Sequence, residues 1–198
     1  MHSFSNEDIL VVDDGSFDST TQEAKKRGVN VITLKKNRGK GFALKRGFSY
    51  AIQNKYDAVI TMDADLQHNP QEVHKFIKKG EDGFDIVVGS RFGCFADMPT
   101  DRYLSNRVTT LVLSLLASRK LVDTQSGFRF ISIDVLKRVK LKTERYQAES
   151  ELLFKAARLG FKITSVPIET LYFGEKSSIN KFLDTLRFIK LIINSLWH

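Results

Sequence analysis

Short apolar runs alternate with amphipathic stretches along this chain, and each apolar run stops at a charged or polar turn. Ile9 to Val12 ends in Asp13-Asp14-Gly15-Ser16, Val29 to Leu34 ends in Lys35-Lys36-Asn37-Arg38-Gly39-Lys40-Gly41, and Val59 to Met62 ends in Asp63-Ala64-Asp65. Runs of this length, rich in β-branched residues and apolar throughout, predict strands buried on both faces. Between them, Asp18 to Lys26 reads as a helix stopped by Gly28. Phe42 to Asn54 reads as a second helix, with Phe42, Leu44, Phe48, Ala51 and Ile52 on its buried side.

The same alternation continues. Asn69-Pro70 looks like an N-cap and first helical position for a helix over Pro70 to Lys79. Phe84 to Val88 is a further strand, closed by Gly89-Ser90-Arg91. After a Pro-containing loop, Tyr103 to Ser118 is helical, apolar at Leu104, Val108, Leu111, Val112, Leu115 and Leu116. The polar turn Asp123 to Arg129 leads into a strand at Phe128 to Ser132, and Asp134 to Val139 is a short helical segment. A stronger helix then runs from Glu149 to near Gly160, ahead of a strand at Lys162 to Val166. Strand and helix in repeated order predict an α/β domain with a mostly parallel sheet and helices on both faces. Its ligand edge is where the strands end.

At 198 residues, 42% hydrophobic and 27% charged, the chain suits one soluble domain. With 31 Lys and Arg against 23 Asp and Glu, the net charge of +8 favours anionic partners. The basic residues are dispersed and no recognition-helix or RNA-binding motif occurs, which argues against nucleic acid. The single cysteine, Cys94, excludes an internal disulfide and a cysteine-based zinc cluster. Met1 to Asp8 is polar, without a secretory leader pattern, and no apolar run is long enough to span a bilayer.

Three of these strand ends therefore carry acid, acid and arginine, at Asp13, Asp63 and Arg91. Asp63, Asp65 and Gln67 form an oxygen-only set at the end of a strand, which suits a hard divalent cation, Mg²⁺ or Mn²⁺. A solvated turn whose acids cap the next helix is the simpler alternative, although Asn69 already supplies a cap. The basic, glycine-containing turn at Lys35 to Gly41 is a plausible phosphate cradle. Glu149 reads equally well as a site residue and as first-turn charge on a helix dipole.

The stretches VVDDGSFDST, NRGKGFAL, MDADLQH, VVGSRF, DTQSGFRFIS, AESELLFKAARLGFKITSVPIE and GEKSSINKFLDTLRF occur in this order over almost the whole chain. The sequence resembles family 2 glycosyltransferases, in the branch of dolichol-phosphate mannose synthase and related polyprenyl-phosphate sugar transferases. That resemblance implies a GT-A fold, a nucleoside-diphosphate sugar donor, a divalent metal, inversion at the sugar carbon and a polyprenyl phosphate acceptor. It also implies peripheral attachment to the cytoplasmic face of a membrane. Asp13, Asp14, Lys40 and Asp63 match donor-binding positions, and Asp65 and Gln67 match metal ligands. Arg91 and Arg102 match the arginines that hold the acceptor phosphate, with Asn106 close by. Ser126 and Arg129 belong to the motif that lines the sugar and acceptor side.

The family pattern opens with a strand and a PxYNE-like segment ahead of the strand ending at Asp13. Here the chain starts directly before that strand, so the resemblance implies a catalytic domain over residues 1–177 that is truncated at its N-terminus. An inactive donor-binding remnant and a transferase with a saccharide or protein acceptor are the alternatives. Residues 178–198 form an amphipathic helical pattern, with Phe182, Leu186, Ile189, Ile193, Leu196 and Trp197 on one stripe. This pattern fits a helix packed on the domain or one lying on a membrane surface.

Overall fold

The computed structural model describes residues 4–91, 100–145 and 147–169, without the side chains of 100–103 and 105. Among the described residues there are six strands: β1 (Leu10–Asp13), β2 (Asn30–Thr33), β3 (Ala58–Thr61), β4 (Ile86–Ser90), β5 (Arg129–Ser132) and β6 (Ile163–Pro167). Six helices accompany them: α1 (Thr20–Lys26), α2 (Lys40–Gln53), α3 (Val73–Glu81), α4 (Thr100–Leu116), α5 (Ile133–Arg138) and α6 (Gln147–Arg158). Every predicted element within the described residues is found. The stretch predicted as one helix from Pro70 is divided, a 3₁₀ turn at Pro70–Glu72 leading into α3, and the Asn69 side chain caps it by accepting from the Gln71 N–H at 3.0 Å.

The sheet departs from the expected continuous arrangement. β1 and β2 pair in parallel, in register Leu10 to Asn30, as a separate two-stranded unit. The other four strands have the order β3-β5-β4-β6, with β4 and β6 parallel and β5 antiparallel to both neighbours. The reversal has a simple cause. The chain leaves β4 through α4 and returns over the edge where β3 and β4 end, so β5 must enter the sheet at that edge and run the other way. Its first residue, Arg129, pairs with Thr61 of β3 and Val88 of β4. The motif before β5 is thereby delivered to the acids and the arginine at the strand ends.

Strand β4 explains why an apolar run without alternation was the right signal for a central strand. Ile86 and Val88 face a core formed with Phe48 of α2, Ile131 of β5, Val135 and Leu136 of α5 and Leu152, Leu153 and Ala156 of α6. Val87 points to the opposite face, against Phe76, Phe128, Val166 and Ile168. Helix α2 packs on both β1 and β3 and so bridges the two sheets.

Helix α4 reverses the expected orientation. Leu104, Val108, Leu111 and Leu115, which form the sequence's apolar stripe, are exposed. The inner face carries Asn106, Thr109, Thr110 and Leu113, all buried. Polar residues point inward because the loop they meet is polar. Thr110 Oγ1 lies 3.1 Å from Thr124 Oγ1, and Gln125 donates to Thr109 Oγ1 at 3.3 Å. Cys94 and residues 178–198 lie outside the described residues, so the readings made for them concern other parts of the chain.

Candidate active site

The turn after β1 is built by its two aspartates, each with a different task. Asp13 is buried and accepts from the Ser16 N–H at 2.8 Å and from the Thr21 hydroxyl, tying the strand end to α1. Asp14 reaches across to the next loop and accepts the N–H groups of Arg38 and Gly39 at 2.9 and 2.7 Å. The two turns are in close contact. A Cβ on Gly15, whose φ is +78°, would lie 2.8 Å from the Lys36 carbonyl carbon. Glycine is required there both for the left-handed backbone and for the approach.

This contact removes two donors from the phosphate-cradle reading of Lys35 to Gly41. The N–H groups of Arg38 and Gly39 are taken by Asp14, and the Phe42 N–H donates to the Gly39 and Glu144 carbonyls. Donors that neighbouring acceptors have already satisfied do not form an anion nest. The loop also brings one side chain to the candidate site, Lys40, at the first position of α2.

Lys40 Nζ lies 2.6 and 2.8 Å from the two oxygens of Asp63 and 3.0 Å from Glu149 Oε1. Burial opposes the charged ammonium, but the Glu149 and Asp63 carboxylates outweigh it and the Lys40 pKa is raised. The ammonium therefore stays charged and joins α2, the end of β3 and the first turn of α6. Glu149 is thus tied to Asp63 through Lys40 and is more than a dipole charge. The sequence left this undecided because a helix-start glutamate is common for other reasons.

Asp65 and Gln67 stand apart from this bridge. Asp65 is exposed and one of its oxygens accepts the Gln67 N–H at 3.1 Å, which fixes the turn. Among the described residues neither Asp65 nor Gln67 has a cationic partner, and no group of three or more His, Cys, Asp or Glu side chains could hold a metal. Two oxygen ligands with the rest of the shell open fit Mg²⁺ or Mn²⁺ held jointly with the phosphate oxygens of a ligand. His68 is buried 5.3 Å from the Phe128 ring. Burial lowers its pKa despite Asp63 and Asp65, so it is neutral near pH 7 and supplies no fixed charge.

Arg91, just past β4, is gripped by a residue the sequence did not single out. Its Nε and Nη2 donate to Asp123 at 2.8 and 2.6 Å, and its own N–H donates to the same carboxylate at 3.0 Å. Asp123 is fully buried. This bidentate pair fixes the plane of the guanidinium at the ligand edge.

Arg129 requires a correction. Expected to line the sugar and acceptor side, it is 1% exposed and donates to the carbonyls of Ser126 (2.7 Å), Glu149 (2.6 Å) and Thr124 (2.9 Å). It lies beneath the loop and supports it. Ser126 and Asn106 are buried, and Ser126 Oγ and Asn106 Oδ1 lack hydrogen-bond partners among the described residues. Arg102 belongs to α4, but its side chain lies outside the described residues.

The Asp13 geometry carries a stability prediction. Hydrogen bonds from the Thr21 hydroxyl and then from Ser16 hold its carboxyl below the usual 3.8. A depressed folded-state pKa adds stability above the unfolded pKa, and that stability is lost as pH falls through the folded value. Asp13→Asn should therefore cost about 1–2 kcal/mol at pH 7. The gap to the parent should close in urea unfolding carried out well below pH 3.8.

Comparison with known proteins identifies the family. The model of "Glycosyl transferase family 2" matches residues 2–140. Undecaprenyl-phosphate mannosyltransferase of Micrococcus luteus is 31% identical over 172 residues, covering 81% of this chain and 70% of that protein. UDP-N-acetylglucosamine–dolichyl-phosphate N-acetylglucosaminyltransferase of Methanococcus voltae is 34% identical over 194 residues, covering 86% and 76%. Glucosyl-3-phosphoglycerate synthase of Mycobacterium tuberculosis, crystallised with Mn²⁺, UDP-glucose and phosphoglyceric acid, superposes with a TM-score of 0.65 at 22% identity. The superposition covers 89% of this chain and 62% of that one, and it establishes the GT-A fold. From the family match over most of the chain and the named relatives, the protein belongs to glycosyl transferase family 2, in its dolichol-phosphate mannose synthase-like branch.

Proposed function

We propose that the protein moves a sugar, with inversion, from a nucleoside-diphosphate sugar to a polyprenyl phosphate at the cytoplasmic face of a membrane. The observation that carries this reading is the division of one sheet edge into two kinds of charge. Lys40 bridges Asp63 and Glu149, while Asp65 and Gln67 remain open toward a cation and Arg91 is held in a fixed plane by Asp123. Such an edge suits two polyanions brought together.

The chemistry follows from the charge states. A phosphate monoester has its second pKa near 6, so the acceptor is already ionised at neutral pH and needs no general base. A neutral, buried His68 is consistent with that. A divalent ion on Asp65 and Gln67 would supply charge stabilisation to the departing diphosphate. Asp14 shapes the donor end by holding the two turns together, Asp13 ties the end of β1 to α1, and Lys40 fixes Asp63 beside them. Arg91, with Arg102 proposed as its partner, would offset the repulsion between donor and acceptor phosphates. Arg129 keeps the loop bearing Ser126 in position beneath that pocket, and Asn106 borders it from α4.

The names of the relatives favour a lipid phosphate over a saccharide or protein acceptor. Calorimetry of the full chain with UDP- and GDP-sugars, with and without Mn²⁺, tests the donor half. Binding should require the metal, and Asp65→Ala should weaken it by tenfold or more. Transfer of labelled sugar to polyprenyl phosphate tests the acceptor half. Metal-independent binding with turnover intact in Asp65→Ala would remove the cation from the site, and donor binding without turnover would leave a donor-binding protein.

A further inference from the structure

We propose that Glu72 is a positioning residue: its carboxylate anchors the turn carrying Asp65 and Gln67 to the chain leaving β6, and so fixes that turn relative to Arg91. An acid in the first turn of a helix is ordinarily solvated and needs no partner beyond the helix dipole. Glu72 is instead 6% exposed, with both oxygens engaged. Oε1 takes the Lys75 ammonium at 2.6 Å, and the Glu169 N–H lies 3.2 Å from Oε2 and 3.4 Å from Oε1. Lys75 also donates to the Pro167 carbonyl at 3.2 Å. One buried carboxylate and its lysine thus grip residues 167 and 169 together. Removing a carboxylate from water is costly unless such partners are held in place.

Topology gives this clamp its meaning. Strands β3, β4 and β6 all end at the ligand edge, in the order β3-β5-β4-β6. The chain leaving β3 therefore crosses three strand spacings, roughly 14 Å, before Glu72 meets the end of β6. The crossing segment is tied down at both ends. At the β3 end, Thr61 Oγ1 donates to the Gly127 carbonyl at 2.8 Å and Lys40 holds Asp63. At the far end stands Glu72. Asp65 and Gln67 lie between the two anchors.

The link runs on to Arg91. Pro167 pairs with Ser90, and the Ser90 carbonyl accepts from the Ile168 N–H at 3.1 Å, one residue before Arg91. Beneath this junction Ile168 packs with Phe76 of α3, the helix that Glu72 leads into. Glu72 thereby joins the turn on the cation side of the site to the strand end that bears the arginine. Two reacting groups held on separate elements lose about a hundredfold in rate when their relation shifts by about 1 Å.

Two readouts separate positioning from plain stability, and only the second rests on the sugar-transfer reading above. In hydrogen exchange of the full chain without donor or metal, Glu72→Ala should speed exchange of the Gln67 N–H, which donates to Asp65, by about tenfold or more. The amides of β5 should be unchanged. Glu72→Gln keeps an oxygen for the Glu169 N–H and should stay within about threefold of the parent. Glu169→Pro removes that N–H from the other side, should reproduce Glu72→Ala, and carries the test where the alanine variant does not fold. In transfer to polyprenyl phosphate, Glu72→Ala should lower kcat about thirtyfold or more while the donor KM changes less than about threefold, because both binding groups remain and only their relation is lost. Unchanged exchange at Gln67 in Glu72→Ala and Glu169→Pro overturns the proposal whether or not the chain transfers sugar. Faster exchange confined to Glu169 also overturns it, assigning Glu72 to the end of β6 alone, as does a loosened turn with kcat unchanged. Absence of transfer by the parent, with exchange at Gln67 accelerated as expected, would remove the transfer reading and leave the anchor standing.

Discussion

Arg129→Met should destabilise the protein by about 3–5 kcal/mol, read as a fall in the urea midpoint at unchanged slope. The guanidinium is buried and spends its donors on the carbonyls of Ser126, Thr124 and Glu149. Methionine fills much of the same volume, so the packing loss is small and the cost lies in acceptors left without a donor, at about 1–3 kcal/mol each. Thr124 is partly protected, since its carbonyl also accepts from the Ser150 hydroxyl at 3.2 Å. This keeps the total below the simple sum. Arg129→Lys should recover only part of the loss, because an ammonium cannot span three carbonyls that a planar fork reaches together. If both variants unfold at the parent's midpoint, Arg129 does not hold the loop.

The same residue shows what could and could not be read from the sequence. β4 was legible because an uninterrupted apolar run needs two buried faces, and β4 has them, whereas β1, β2 and β3, read in the same way, are only partly buried. Their C-terminal ends were legible as a site because Asp63 and Arg91 stop such runs. The direction of β5 was not, because alternation and length report a strand without its orientation. That orientation depends on where α4 returns the chain, which is a property of the whole domain. Arg129 was read as a ligand-facing arginine because its motif faces the site, yet its position as the first residue of a central strand turns it under the loop. Asp123 was visible as part of the motif, but its pairing with Arg91 joins positions 32 residues apart. Helix α4 misled for the opposite reason. Its periodicity is genuine, but period alone assigns the apolar stripe to a core, and here the inward face is set by the hydroxyls that meet Thr124.

Gly127→Ala should reduce donor affinity about a hundredfold while costing only about 1–2 kcal/mol in stability. A Cβ at Gly127 would lie 2.9 Å from Asp63 Cγ and 3.0 Å from Asp63 Oδ1, well inside normal contact. The backbone cannot withdraw, because the Gly127 carbonyl accepts from Thr61 Oγ1 at 2.8 Å and the next carbonyl accepts from the Gly89 N–H at 2.9 Å. The Asp63 carboxylate must therefore swing away. In doing so it releases Lys40, and the ammonium is left with Glu149 alone. The glycine at this position is thus required by space and not by backbone conformation. A double-mutant cycle with Asp63→Ala isolates the cause. With the carboxylate gone, Gly127→Ala should add less than about 0.5 kcal/mol to the stability loss. A full, additive penalty in that background would place the clash elsewhere, and an unchanged donor affinity in Gly127→Ala alone would separate the position of Asp63 from donor binding.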